Sequence, residues 1–263
     1  MEPVVKIKDA NVFLDRELIL SNINWEVNKG DHWFILGANG AGKTTLVRML
    51  MGLVWPKFGA EVSVLGGIYG KCNLFETRKK ISWVSPFLQK WTAAKWSVLE
   101  VALSGLDGTI GLYKKHSESD KKKALSIMEK LDCAGIAGHS YDKISSGEQI
   151  KALIARALIS NPELIILDEP FVHLDMKSRE FLMNSVNNLA KSPAAPTILF
   201  ITQRIEDISP VFEKGMILKN GAIVERGDRD DILTEDNLFK AFDMRVKLHK
   251  SKKGRYWPEL DDA

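Results

Sequence analysis

Residues 37–44 read Gly-Ala-Asn-Gly-Ala-Gly-Lys-Thr and fit the spacing G-x-x-x-x-G-K-[ST]. The chemistry this implies is phosphate binding. Gly37, Gly40 and Gly42 let the backbone curl until several N–H groups, those of Asn39 and Ala41 among them, converge on one anion. The helix that follows adds the positive end of its dipole. Lys43 is long enough to reach the terminal phosphates, and the Thr44 hydroxyl, with Thr45 beside it, is a hard oxygen ligand suited to Mg²⁺. A second group of reactive side chains closes the run Glu-Leu-Ile-Ile-Leu-Asp-Glu at residues 163–169. Side chains alternate across a strand, so the two carboxylates need not share a role. Asp168 would hold Mg²⁺ through water, and Glu169 would act as general base on a water attacking a γ-phosphate. Together the two groups describe a nucleoside triphosphate site.

Those residues need strands that end at one edge and a helix that starts there. The sequence supplies both. An alternating stretch, Val-Val-Lys-Ile-Lys-Asp-Ala-Asn-Val-Phe-Leu, opens the chain, and Leu-Ile-Leu-Ser-Asn-Ile-Asn-Trp-Glu-Val repeats the pattern. A short apolar run, His-Trp-Phe-Ile-Leu-Gly, leads into the phosphate loop, and a helix is expected over 43–51. Two further strands are expected at 60–66 and 79–85. Residues 89–141 carry helical patterns only and read as an all-helical insertion, whose run Lys-Lys-His-Ser-Glu-Ser-Asp-Lys-Lys-Lys reads as a solvated loop and helix start. After Tyr141 come helix, strand, helix and strand, which argues a parallel sheet. Asn220-Gly221 predicts a hairpin. The division expected is core over 1–88 and 142–245, insertion over 89–141, and a peripheral tail over 246–263 read as a helix with a loose end.

Composition narrows the function. The chain has 263 residues, 45% hydrophobic and 27% charged, with net charge +3. That is globular composition without the basic excess or aromatic stripe of a nucleic-acid channel. Two cysteines without metal spacing point to a reducing compartment. No apolar run approaches the roughly 20 residues a membrane span needs. The chain is expected to be soluble and to act at a membrane only through a partner.

One more stretch fixes the reading. Ile144-Ser-Ser-Gly-Glu-Gln149 precedes a helix, so Ser145, Ser146 and Gly147 form a second anion-binding cap. With it the chain resembles the ATP-binding cassette (ABC) family from about residue 4 to about 240. Gly-Ala-Asn-Gly-Ala-Gly-Lys-Thr-Thr stands as Walker A, Ile-Ser-Ser-Gly-Glu as the signature, Leu-Ile-Ile-Leu-Asp-Glu-Pro as Walker B and Leu174-Asp175 as the D-loop, in the family's order. The resemblance implies an α/β fold: a P-loop NTPase mixed-sheet core (RecA-like), an N-terminal antiparallel β-subdomain and an inserted α-helical subdomain. It implies Mg-ATP bound in a head-to-tail homodimer, each nucleotide between one copy's Walker A and the other's Ser145, Ser146, Gly147, Glu148 and Asp175. It implies hydrolysis driving separate membrane-spanning subunits, those of an importer, on the inner face of the cell membrane. The sequence departs from the family pattern in four places. Ser146 replaces a glycine. Phe13 or its neighbour Leu14 stands near the adenine-stacking position, the other reading being a core strand residue. Gln89, three residues after Pro86, is the nearest candidate for the metal and coupling glutamine, the other reading being a surface residue. Gln203 stands where the family usually has a histidine at the γ-phosphate. Gln203 is expected to keep contact with nucleotide and to slow hydrolysis, because an amide cannot become a cation. Two other readings stay open: a soluble cassette serving translation, repair or regulation, and a cassette that binds ATP with little turnover.

Overall fold

The computed structural model describes residues 3–260, apart from 87, 89–91, 93–94, 109–114 and 173. Its chain divides into two compact units, one built from the residues up to Thr77 and those from Thr197 on, the other from Arg78 to Pro196.

The first unit contains β1 (Val5–Leu14), β2 (Glu17–Val27), β3 (Trp33–Leu36), α1 (Lys43–Leu50), β4 (Glu61–Val64) and β5 (Gly67–Ile68). The helix α2 (Leu74–Lys79) carries the chain out of it. Strands β1, β2, β4 and β5 form an antiparallel sheet in the order β2-β1-β4-β5. The alternation of β1 and β2 places Val5, Ile7, Ala10 and Val12 inward with Leu20, Ile23, Trp25 and Val27. Their register shifts near Asp9, whose φ is 52°, and the bulge is held by side-chain amides: Asp9 N–H donates to Asn24 at 3.0 Å and Asn22 N–H to Asn11 at 2.9 Å.

This unit also contains β8 (Thr197–Thr202), β9 (Lys214–Lys219) and β10 (Ala222–Asp228). Strand β3 runs parallel to both β8 and β9, and β10 returns antiparallel along β9. Every residue of β3 and of β8 is buried, as the unbroken apolar runs demand of central parallel strands. Trp25 and Trp33 meet edge to face at 5.6 Å, joining the antiparallel sheet to β3. The turn between β9 and β10 is Asn220-Gly221, with φ of 47° and 77°, the hairpin that dipeptide predicts.

The second unit holds the parallel pair β6 (Ile81–Val84) and β7 (Leu164–Asp168). Its helices are α3 (Val98–Leu103), α4 (Glu118–Lys130), α5 (Ser146–Ile159) and α6 (Met176–Ala190). Helices α3, α4 and α5 each open on a reciprocal serine–acid cap: Ser97 with Glu100, Ser117 with Asp120, Ser145 with Glu148. The described part of the charge run, residues 115–123, thus leads into the Ser117 cap and forms the first turns of α4. Half-buried Arg156 of α5 donates to the Ser104 hydroxyl at 3.1 Å, and a Cβ on Gly105 would lie 2.0 Å from the Arg156 carbonyl, so these elements meet backbone to backbone. Cys133 is buried, which pushes its thiol up to about 11 and leaves it unreactive.

Two expectations fail locally. Helix α2 has no counterpart in the sequence reading: at six residues it is too short to display a period. The tail is a hairpin, not a helix. The chain from Asp228 on forms α7 (Arg229–Ile232), α8 (Glu235–Phe242), β11 (Val246–Lys250) and β12 (Tyr256–Leu260). Gly254, with φ 79°, turns the chain, and Pro258 suits an edge strand and no helix interior. His249 stacks on its cross-strand partner Trp257 at 5.4 Å within the hairpin, and Lys250 ties it to Asp230 at 2.5 Å. Among the described residues no helix is long and apolar enough to cross a membrane.

Candidate functional site

The first unit carries the phosphate loop. Buried β3 delivers Gly37, and a Cβ there would lie 2.6 Å from the Leu218 carbonyl oxygen. The loop then turns through Gly40 (φ 79°) and Gly42 (φ 99°) into α1. Gly42 is the N-cap of α1, with no side-chain cap and no acid in the first turn. The first turn of α1 therefore carries the positive end of the helix dipole without a side-chain cap or an acid of its own. Lys43 is 6% exposed; its Nζ donates to the Gly37 carbonyl at 2.8 Å and the Ala38 carbonyl at 3.0 Å, spanning the loop. Thr44 is exposed, Thr45 buried, and Asn39 exposed at the crest. The hydroxyl free to face a ligand is thus that of Thr44.

A support for this loop was not legible in the sequence as such. Gly221, in the β9–β10 turn, donates its N–H to the Ala41 carbonyl at 3.1 Å and accepts from Ser21 N–H at 2.8 Å. A Cβ on Gly221 would lie 2.0 Å from the Ile19 carbonyl oxygen. The hairpin turn is pinned between β2 and the phosphate loop, and only glycine fits.

Gln203 lies on the same edge. In the parallel register Leu36 stands opposite Thr202, so Gln203 begins beyond β8 where Gly37 begins beyond β3. Gly37 N–H donates to the Thr202 carbonyl at 3.4 Å. Thr202 Oγ1 donates to buried Asp207 at 3.1 Å and accepts from Arg204 N–H at 3.0 Å, which fixes the turn that presents half-buried Gln203. Phe13, near the end of β1, is 46% exposed opposite Leu18 at 49%, so it is a surface aromatic and not a core residue.

The second unit carries the acids and the second cap. Asp168 ends β7 at 6% exposure. Glu169 is not part of the strand. Its φ is 50°, a left-handed conformation that few residues with a side chain adopt. The expectation that strand alternation separates the two carboxylates is therefore corrected: a turn in the backbone does so. Such an outlier next to a buried Asp is typical of functional strain. At the start of α5, Ser145 N–H and hydroxyl both reach Glu148 Oε2, at 2.8 and 2.7 Å, while Glu148 N–H returns to Ser145 Oγ at 3.4 Å. These bonds hold the Glu148 carboxyl below its ordinary range. A Cβ on Gly147 would lie 3.1 Å from Ser178 Oγ, so α5 and α6 start side by side. Exposed Asp175 caps α6, accepting from Ser178 N–H at 2.7 Å, and that bond lowers its carboxyl in turn. Gln89 lies outside the described residues.

The Thr44 hydroxyl of the first unit and the Asp168 carboxylate of the second are each hard oxygen ligands of the kind Mg²⁺ favours, alongside phosphate oxygens and water. Among the described residues no cluster of three His, Cys, Asp or Glu side chains could hold a metal by itself.

A glycine loop opening an uncapped helix, a lysine spanning it, and an Asp–Glu pair at a strand end define a nucleotide-binding cassette. The chain belongs to the ABC transporter family, whose model matches residues 20–172, and it is an ATP-binding subunit of that class. It is 42% identical over 246 residues to the ABC transporter ATP-binding protein YlmA of Bacillus subtilis (strain 168), covering 93% of each chain. Among solved structures it matches an inward-facing ABC transporter described as of metal-chelate type, with 25% identity, TM-score 0.79 and 99% of each chain covered. It also matches a dimeric ATP-binding cassette in a post-hydrolysis state bound to ADP and Pi, with 26% identity, TM-score 0.72, and 85% of this chain and 98% of that one covered. These matches carry the cassette fold: antiparallel β-subdomain, mixed parallel core and helical insert.

Proposed function

We propose that the chain binds Mg-ATP as a head-to-tail homodimer and hydrolyses it to drive separate membrane-spanning subunits of an importer. In this reading it sits on the inner face of the cell membrane through those subunits. The cargo class is a metal chelate, by likeness to the inward-facing transporter. The observation that carries the reading is the α1 N-terminus, free of any side-chain cap and spanned by Lys43.

The roles follow from the chemistry of each group. The loop N–H groups from Asn39 to Thr45 and the Lys43 ammonium neutralise the phosphates. Phe13 offers an exposed ring on which adenine stacks. Thr44 and Asp168 hold Mg²⁺, with Gln89 as a further ligand; the ion, when bound, neutralises charge on the transferring phosphoryl oxygens. Glu169 orients the attacking water and takes its proton. Gln203 donates an amide hydrogen bond to the γ-phosphate but brings no positive charge, so hydrolysis is slow relative to binding. Ser145, Ser146, Gly147, Glu148 and Asp175 complete the site from the second copy.

The test is Glu169→Gln, which removes the base and keeps the shape. With millimolar Mg-ATP it should elute as a dimer in size-exclusion chromatography, while the protein with ADP elutes as a monomer. A monomer at saturating ATP would overturn the sandwich reading.

A further inference from the structure

The first unit holds a cavity that the nucleotide reading does not use. Its volume is about 440 Å³, and β1, β2, the start of β3 and the end of β10 wall it. Strand β3 begins here at Trp33 and ends at Leu36, just before the phosphate loop, so the cavity lies at the opposite end of that strand from Gly37. Two kinds of group meet in its wall. Lys6 and Lys8 of β1 and Arg226 of β10 bring three cations against the single carboxylate of Glu26. Trp25 and Trp33 bring two indoles, 2% and 6% exposed, whose N–H groups are buried without an acceptor among the described residues. We infer that this cavity binds a small polyanion, a compound of metabolite size carrying two or more carboxylate or phosphate groups.

The argument starts from the indoles. Buried N–H groups in folded proteins nearly always have an acceptor, because a buried donor left without one costs more than a typical hydrogen bond gains. Here two such donors share one wall, their rings meeting edge to face at 5.6 Å. An indole N–H can only donate, so whatever satisfies it must bring an acceptor. Water would meet that need alone; the cations select a charged acceptor instead. Lys6, Lys8 and Arg226 are exposed and form no ion pair among the described residues, although Lys6 stands opposite Glu26 and Lys8 opposite Glu61 in the strand register. The cations also stand on two separate strands, so a ligand with one charged end cannot reach them all. A ligand with two or more can. The volume falls within the range of small-molecule sites, about 300–1,000 Å³.

The experiment uses the full isotope-labelled chain with one equivalent of MgADP and follows the indole N–H resonances of Trp25 and Trp33 by NMR. Citrate and pyrophosphate are titrated separately, with ionic strength held constant by sodium chloride. At least one of them should move both resonances to saturation, with a midpoint below about 1 mM. A response to citrate alone makes the ligand a polycarboxylate, and a response to pyrophosphate alone makes it a diphosphate. Lys8→Gln and Arg226→Gln should each raise the midpoint by about five- to tenfold, as loss of one charge-assisted bond requires. ADP affinity should stay that of the parent, because neither residue belongs to the phosphate loop. Resonances that stay still up to about 10 mM of either anion would make these core tryptophans that meet only water, and would overturn the site. A midpoint above the expected limit, or one unchanged in both charge variants, means an adventitious ion only and overturns it as well. The readout sits on the two indoles, so its failure is distinct from any failure of the nucleotide reading.

Discussion

Two helices of this chain begin where an anion could bind, and they begin differently. Helix α1 starts at Gly42 with no side-chain cap and no acid in its first turn. Helix α5 starts at Ser145, closed by a reciprocal bond with Glu148. Both termini carry the same partial positive charge. At α1 no side chain caps the helix and three glycines shape the loop that leads into it, an arrangement open to a ligand. At α5 the chain satisfies itself, an arrangement stable without any ligand. The difference fits a division of labour: α1 grips ATP in a single copy, and α5 engages only when a second copy arrives. Under the proposed sandwich, a site engaged in the single copy is paired with one engaged only in the dimer, as a switch driven by nucleotide requires.

The comparison breaks most visibly at Lys43. Its ammonium lies across the α1 loop, so Lys43→Ala should weaken ATP binding by about a hundredfold, measured by titration calorimetry. The α5 cap should be untouched, while loss of the two loop bonds of Lys43 lowers the thermal midpoint. Wild-type affinity in Lys43→Ala would mean that α1 is not the gripping end.

Next comes the support beneath α1. Gly221→Ala places a methyl 2.0 Å from the Ile19 carbonyl at a φ of 77°. The hairpin must shift, and the bond to Ala41 goes with it. Unfolding in urea should show a loss of about 2–4 kcal/mol, and ATP affinity should fall in the same protein. A variant that loses stability yet binds ATP normally would separate the hairpin from the loop.

These two residues also mark how far the sequence was legible. Lys43 and the glycines around it were readable, because a phosphate loop is a local pattern: its residues are consecutive and its geometry follows from glycine and helix polarity. The strands β3, β7 and β8 were readable for the same reason, as unbroken apolar runs. Gly221 was readable only as a turn. Its second role depends on Ile19 and Ala41, each more than 100 residues away in the chain, and no period or spacing records such a contact. Glu169 was readable as an acid but not as a left-handed residue, since a strand pattern carries no sign of φ at its last position. The tail failed because its stability comes from Asp230, Glu235 and the ring pair His249–Trp257, not from its own propensity.

A third test concerns chemistry at the loop edge. Gln203 follows Thr202 at the position that pairs with the start of the phosphate loop. Gln203→His restores a ring that can carry charge toward the γ-phosphate, and ATP turnover should rise by about three- to tenfold with KM nearly constant. A rate equal to or below that of the parent chain would show that the amide is not what limits hydrolysis.

The smallest effect lies at α5 and sharpens its side of the comparison. Ser145→Ala removes the N-cap oxygen and should destabilise the chain by about 1 kcal/mol at neutral pH, without altering ATP affinity of the single copy. The pH dependence follows from Glu148, whose carboxyl is lowered chiefly by the Ser145 hydroxyl and then by the Ser145 N–H. A carboxyl lowered on folding stabilises fully above its unfolded value, near the ordinary 4.5, and that contribution disappears as pH falls through the lower folded value. The gap between the parent and Ser145→Ala should therefore be constant above that point and shrink below it, because only the parent has the hydroxyl bond to lose. Asp175 at the head of α6, lowered by Ser178 in the same direction, remains in both proteins and cancels in the difference. Chemical denaturation at pH 7 and pH 3 measures the gap. A gap that stays constant on acidification would mean that Ser145 acts through its bond to the Glu148 N–H alone, and that its hydroxyl is not engaged by the carboxylate in solution.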